Sequence, residues 1–199
     1  MKDSQKKLIK YGVIAAIILI AYFSVSGSYN TMVTKEENVT GQWAQVENVY
    51  QRRADLIPNL VNVVKGYADH EKSTLEAVIE ARAKATSTTI DPSNMTPESI
   101  QQFQQAQEGL SGALGKLMVV VERYPDLKAN QNFLELQSQL EGTENRISVE
   151  RKKFNDSAKD YNTYIRKFPK NLYANMFGFE KKVYFQSVEG ANVAPTVEF

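Results

Sequence analysis

From Phe133 onward an apolar residue returns at every seventh position, through Leu140, Ile147, Phe154, Tyr161 and Phe168. A second line runs four residues behind it, through Gln137, Glu144, Arg151, Ala158 and Ile165. Seven residues are close to two helical turns, so the repeat lays one stripe along a long helix and commits it to partner helices with left-handed supercoiling. Residues 133 to 168 predict a helix about 54 Å long at about 1.5 Å per residue. A chain carrying such a helix has to supply a partner of comparable length. The first third does so: Val25, Tyr29, Met32, Glu36, Val39, Trp43, Val46, Tyr50, Arg53, Ile57, Leu60, Val64 and Tyr67 follow one another at steps of three and four. Its part from 29 to 66 comes to about 57 Å.

Between these two lies a shorter pair. Glu71 to Thr86 keeps helical spacing through Leu75, Val78, Ile79 and Arg82, and the hydroxyl run Thr86-Ser87-Thr88-Thr89 favours a loop over residues 87–96. Thr96-Pro97-Glu98 is a helix start, with a hydroxyl cap and proline at the first helical position. The helix it opens carries Ile100, Phe103, Gln107, Leu110, Leu114, Leu117, Val121 and Tyr124 and stops before Pro125, with Tyr124-Pro125-Asp126 read as a turn. Phe168-Pro169 ends the last long helix, and a short apolar segment with Leu172, Tyr173, Met176 and Phe177 follows. The expected fold is all-α, an antiparallel up-and-down helical bundle over residues 28–186 with an irregular tail over 187–199.

The bundle is preceded by a basic segment, residues 1–7, and a membrane span, residues 8–27. Leu8 to Val25 is an apolar run broken only by Lys10, Gly12 and Ser24, just short of the about 20 residues that cross a bilayer. Lys10, Tyr11, Ile18, Tyr22 and Phe23 are its candidate anchor residues. A cleaved signal peptide ending near Val25-Ser26-Gly27 is the competing reading. The anchor is favoured because the helical pattern continues through that point into the bundle. Lys2, Lys6, Lys7 and Lys10 precede the span, and within ten residues after it only Lys35 follows, beside Glu36 and Glu37. The positive-inside rule then puts the N-terminus in the cytoplasm and the bundle outside the inner membrane.

Arg53-Ala54-Asp55-Leu56-Ile57-Pro58-Asn59-Leu60 passes a proline through the middle of the first long helix. Proline lacks the N–H that would pair with the Ala54 carbonyl and crowds that carbonyl, so Pro58 is the expected kink. This block, then Glu71, Ala81-Arg82-Ala83, Tyr124-Pro125-Asp126-Leu127-Lys128-Ala129-Asn130, Glu144-Asn145-Arg146-Ile147, Arg151, Phe154-Asn155, Tyr161-Asn162 and Phe168-Pro169, resembles the successive motifs of the LemA family of bacterial membrane proteins, in the family's order. The resemblance covers residues 28 to 186. It implies one N-terminal membrane helix followed by an antiparallel bundle, no established enzymatic activity, and an integral-membrane metalloprotease as a candidate partner.

Arg53, Gln107, Glu144 and Arg151 occupy seam positions where leucine is expected. They are read as a structural polar core layer that fixes helix register. The alternative is a pocket inside the bundle, for a small ligand or a reaction. Enzyme signatures are absent from the sequence: there is no Glu-x-x-His pair, no glycine-rich phosphate loop, no Gly-x-Ser-x-Gly and no cysteine, and the single histidine is His70. Neither a metal nor another cofactor is expected. With 24 Lys+Arg against 23 Asp+Glu there is no electrostatic footprint for nucleic acid. Gly109, Gly112 and Gly115 are spaced by threes and read as a site of close helix approach. The expected function is a membrane-anchored, non-enzymatic scaffold or adaptor. Its expected partners are the lipid bilayer, other membrane proteins and further copies of itself.

Overall fold

The computed structural model describes residues 2–92 and 94–186. Helices α1 (Lys2–Lys65), α2 (Lys72–Ser87), α3 (Pro97–Val121), α4 (Pro125–Lys128), α5 (Gln131–Arg166) and α6 (Lys170–Phe177) make up the ordered elements. Among the described residues there is no strand, and the fold is an all-α bundle with a long apolar helix at its N-terminus. The expected tail, residues 187–199, lies outside the described residues.

Residues 40–156 together with 183–186 pack as one unit. Its core takes Ile57, Leu60, Val61 and Val64 from α1, Leu75 and Val78 from α2, Leu110, Leu114, Leu117 and Val121 from α3, Leu127 from α4, and Phe133 and Leu140 from α5. Each fully buried aliphatic or aromatic side chain here contributes about 1.5–3 kcal/mol of transfer free energy. An aromatic cluster closes the same unit: the Trp43 ring stacks on Phe185 at 5.6 Å and meets Phe103 and Phe154 edge-on at 5.4 and 5.5 Å.

Residues 1–39 together with 157–182 form the other unit, which holds the N-terminal part of α1, the end of α5, and α6. Met32, Val39, Ala158, Tyr161, Ile165 and Ala174 are its buried apolar residues. Lys35 pairs with Asp160, and Lys182 Nζ meets Glu36 Oε1 at 2.7 Å. Burial pushes the Tyr161 phenol well above its ordinary value, and Glu36 and Glu180 push in the same direction.

Local chemistry explains the helix ends. Thr96 Oγ1 accepts the Ser99 N–H at 3.1 Å while Ser99 Oγ accepts the Thr96 N–H at 3.0 Å, a reciprocal cap on α3 with Pro97 at its first position. The stretch read as a turn at Tyr124-Pro125-Asp126 closes instead into the single helical turn α4. Asn130 Oδ1 accepts the Phe133 N–H at 3.1 Å, which starts α5 two residues before Phe133. The helix stops at Arg166, short of Pro169, so Phe168 continues the seven-residue count yet stands outside the helix and 82% exposed. Gly178 ends α6 at φ 76, a left-handed position that favours glycine. The glycine stripe on α3 departs from expectation: a Cβ at Gly109, Gly112 or Gly115 would meet nothing within 4 Å. Among the described residues these glycines mediate no close approach.

Candidate functional site

Among the described residues the guanidinium of Arg53 is the one charged group in the core, with the residue 1% exposed. It comes from α1. Its Nη1 donates to Ser111 Oγ at 2.9 Å and to a carboxylate oxygen of Glu144. Its Nη2 donates to Gln107 Oε1 at 2.6 Å and to the Gln107 carbonyl at 3.3 Å. Gln107 passes the network on, its Nε2 donating to the Ala85 carbonyl at 3.1 Å. The Arg53 Nε is equally buried and meets no acceptor among the described residues. The Tyr50 ring lies 5.1 Å from the guanidinium. Burial raises the Tyr50 phenol above its ordinary value, and the charges of Arg151 and Arg53 oppose that shift.

Of the four seam residues, Arg53, Glu144 and Gln107 meet. Arg53 and Gln107 are buried, whereas the Glu144 side chain is half-exposed. Arg151 joins them through Tyr50, whose phenol, raised by burial, its charge and a hydrogen bond lower; its Nη2 also donates to the Gln186 carbonyl at 3.1 Å and its guanidinium stands 4.7 Å over the Phe185 ring. The inward position near Glu144 is taken by Thr143, whose hydroxyl donates to the Gln139 carbonyl at 2.7 Å. Beside the cluster, a cavity of about 90 Å³ bordered by Tyr50, Ala54, Thr88, Phe103 and Gln107 is below the about 300 Å³ at which ligand pockets begin. Both terminal nitrogens of Arg53 are spent on the chain's own oxygens. His70 is exposed, and no cluster of three potential metal ligands occurs among the described residues.

Pro58 stands inside α1, and the helix continues through it. The Ala54 carbonyl, which loses its helical donor to the proline, accepts Arg82 Nε from α2 at 2.7 Å. The lost backbone bond is thus replaced by a charge-assisted bond between helices. Arg82→Ala should destabilise the protein by about 1.5–3 kcal/mol, because it strands a carbonyl of a buried residue. In a Pro58→Ala background the helix recovers its own donor, and the same Arg82→Ala change should cost markedly less. Equal losses in the two backgrounds, measured by thermal unfolding, would show that Arg82 and Pro58 are independent.

Two asparagines on α5 hold the segment that follows α6. In one unit Asn155 Oδ1 accepts the Phe185 N–H at 2.9 Å while its Nδ2 donates to the Phe185 carbonyl at 3.0 Å. In the other, Asn162 does the same to Lys182, at 2.9 and 2.7 Å. Each side-chain amide pairs with a backbone as a neighbouring strand would. Reasoning from the sequence did not assign these roles. The available signal was the recurrence of Phe154-Asn155 and Tyr161-Asn162 seven residues apart.

The anchor residues Lys10, Tyr11, Ile18, Tyr22 and Phe23 all lie on α1 and are exposed, as is every described side chain from Gln5 to Ser24. The Tyr22 and Phe23 rings meet edge-on at 5.6 Å. Among the described residues α1 is the helix long and apolar enough to cross a membrane. A bare apolar helical stretch that runs on into a packed all-α bundle defines a membrane-associated helical-bundle protein. Comparison with known families agrees, because the sequence model of the LemA family matches residues 42–199. The chain belongs to the LemA family. It is 28% identical to the magnetosome protein MamQ 2 of Paramagnetospirillum magneticum over 203 residues, covering 88% of this chain and 73% of that protein. MamQ of Magnetospirillum gryphiswaldense is also 28% identical, over 86% of this chain and 70% of its own length. Protein LemA of Metamycoplasma hominis is 22% identical over 85% of this chain and 74% of its own length.

Proposed function

We propose that this protein is a non-enzymatic scaffold held at the bacterial inner membrane by α1. Its N-terminus is cytoplasmic and its bundle extracytoplasmic, and it packs one helical face against a second copy or against another membrane protein, a metalloprotease among the candidates. The observation that carries this is a groove of about 540 Å³ between α3 and α5, bordered by Leu114, Gly115, Met118 and Leu140, rimmed by Gln137 and Glu141, and reaching the Arg53 partners Ser111 and Glu144. It adjoins Val119, which is 71% exposed, one turn from Gly115. Small and apolar residues beside a shallow groove with a polar rim fit the packing of another helix. The alternative, a ligand or reaction at the Arg53 layer, is disfavoured because Arg53 already spends both terminal nitrogens internally.

The cysteine-free sequence allows one variant to test side and contact together. Val119→Cys in the full chain should react with a membrane-impermeant maleimide in intact cells, where Gln5→Cys should not. On oxidation it should cross-link to a second copy or to a membrane-protein neighbour, and Gly115→Trp should abolish that cross-link by filling the groove. Full maleimide reaction with no cross-linked product would overturn the scaffold role of this face. Labelling at Gln5 alone would reverse the orientation.

A further inference from the structure

We infer that α6 and the Phe168 corner before it form a second membrane contact, a short amphipathic element lying in the headgroup layer of the leaflet from which α1 emerges. This rests on α1 being embedded in the bilayer and adds a lipid-binding surface to that anchor. Phe168, Leu172 and Met176 are 82%, 56% and 64% exposed. Leu172 and Met176, one turn apart on α6, share one side of the helix, Phe168 is exposed at the corner before it, and Ala174 is turned into the protein and buried. Among the described residues nothing covers that apolar side.

Its height along α1 is given by ring contacts. The Tyr29 ring meets Phe177 at 5.0 Å and Phe179 at 5.6 Å, so the end of α6 lies level with Tyr29. The apolar run ends at Val25, four residues earlier, which is about 6 Å along a helix. Counted instead from Lys10, a span of about 20 residues ends near Asn30. The first count puts Tyr29 about 6 Å beyond the hydrocarbon and the second puts it at its edge. A bilayer about 40–45 Å thick with a core of about 30 Å leaves roughly 5–8 Å of headgroup layer on each side. The exposed side of α6 therefore stands at the depth where amphipathic elements insert their apolar faces.

The charges around it suit the same layer. Arg166, Lys167, Lys170 and Lys181 stand beside the element, against Glu180 as the one acid in that stretch. Cations flanking an apolar face bind the phosphates of lipid headgroups. Lys170 Nζ also lies 4.3 Å from the Tyr164 ring centroid, which ties one of these cations to α5.

The full chain is reconstituted in vesicles of phosphatidylcholine and phosphatidylglycerol, with a polarity-sensitive fluorophore on Leu172→Cys. Ile18→Cys serves as the label inside the span and Gln101→Cys as the label on α3. Lipid carrying a nitroxide on its headgroup should quench the label at 172 and leave that at 101 unaffected, while aqueous iodide should quench at 101 and spare 172. Phe168→Ser with Met176→Ser should move the 172 label from lipid quenching to iodide quenching, with Trp43 fluorescence reporting that the fold is kept. Iodide quenching at 172 in the unsubstituted background would overturn the proposal. Protection from both quenchers would also overturn it, since the face would then be covered by protein, such as a second copy. Absence of quenching at Ile18 by nitroxide deep in the acyl chains would show that the anchor itself is not embedded, separating that failure from a failure of α6.

Discussion

Trp43→Ala should lower the unfolding free energy by about 3–5 kcal/mol, the range for removing a large aromatic from a packed core. Trp43 is fully buried and its indole touches rings from three parts of the chain: Phe103 on α3, Phe154 on α5, and Phe185 in the segment after α6. Truncation to alanine leaves a cavity that α1, held in a long continuous helix, is poorly placed to close. Trp43→Phe separates packing from polarity. Among the described residues the Trp43 Nε1 meets no acceptor, so there the native ring bears the desolvation of a donor, about 1–3 kcal/mol, without a bond to offset it. Phenylalanine keeps a ring in the cluster and removes that donor, so its cost should be a small fraction of the alanine value. The measurement is thermal unfolding of the detergent-solubilised full chain followed by circular dichroism, since both variants remove the only tryptophan. Comparable losses for alanine and phenylalanine would mean that the indole is held by something other than ring packing.

The seven-residue line through Phe133, Leu140, Ile147, Phe154 and Tyr161 was readable because a stripe at that spacing has nowhere to go but the interior, and all five are buried. The companion line four residues behind was less dependable. A helix with 3.6 residues per turn drifts relative to a strict seven-residue count, so the second side of the seam alternates between steps of three and four. Thr143 faces inward and Glu144 reaches the surface for that reason. Phe168 fits the count but is stranded by the proline that follows it, a local rule overriding a periodic one. The proline at 58 announced a carbonyl in need of a donor, that of Ala54, but not that Arg82, 28 residues after Ala54, would be that donor. The asparagine clamps had the same difficulty. Asn155 and Asn162 answer to Phe185 and Lys182, in a segment with no periodicity to align. Membrane orientation is obscured similarly. Counting lysines beside the apolar run passes over Arg166, Lys167, Lys170 and Lys181, which flank a helix whose end meets Tyr29.

Glu144→Ala should cost about 3 kcal/mol, the low end of the range for stranding a buried charge. The low end applies because the Glu144 side chain is half-exposed, so water can take part of its place beside the guanidinium. What remains to Arg53 after the substitution is Ser111 and Gln107, both neutral, around a group buried on every side. Arg53→Met acts on the opposite partner. It removes the buried charge, keeps an unbranched side chain in the space, and leaves Glu144 free to hydrate. Its cost should be smaller and come chiefly from Gln107 Oε1 losing its donor, about 1–3 kcal/mol. Once methionine stands at 53, Glu144→Ala has no charge to strand and should be close to neutral, so the cycle should show a coupling of about 3 kcal/mol. A Glu144→Ala cost that is the same with arginine or methionine at 53 would mean that the carboxylate is not what neutralises the core arginine. A cycle that closes as expected, with the methionine variant still forming the Val119→Cys cross-link, assigns the layer to helix register and leaves the outer face of α3 and α5 to carry the interactions.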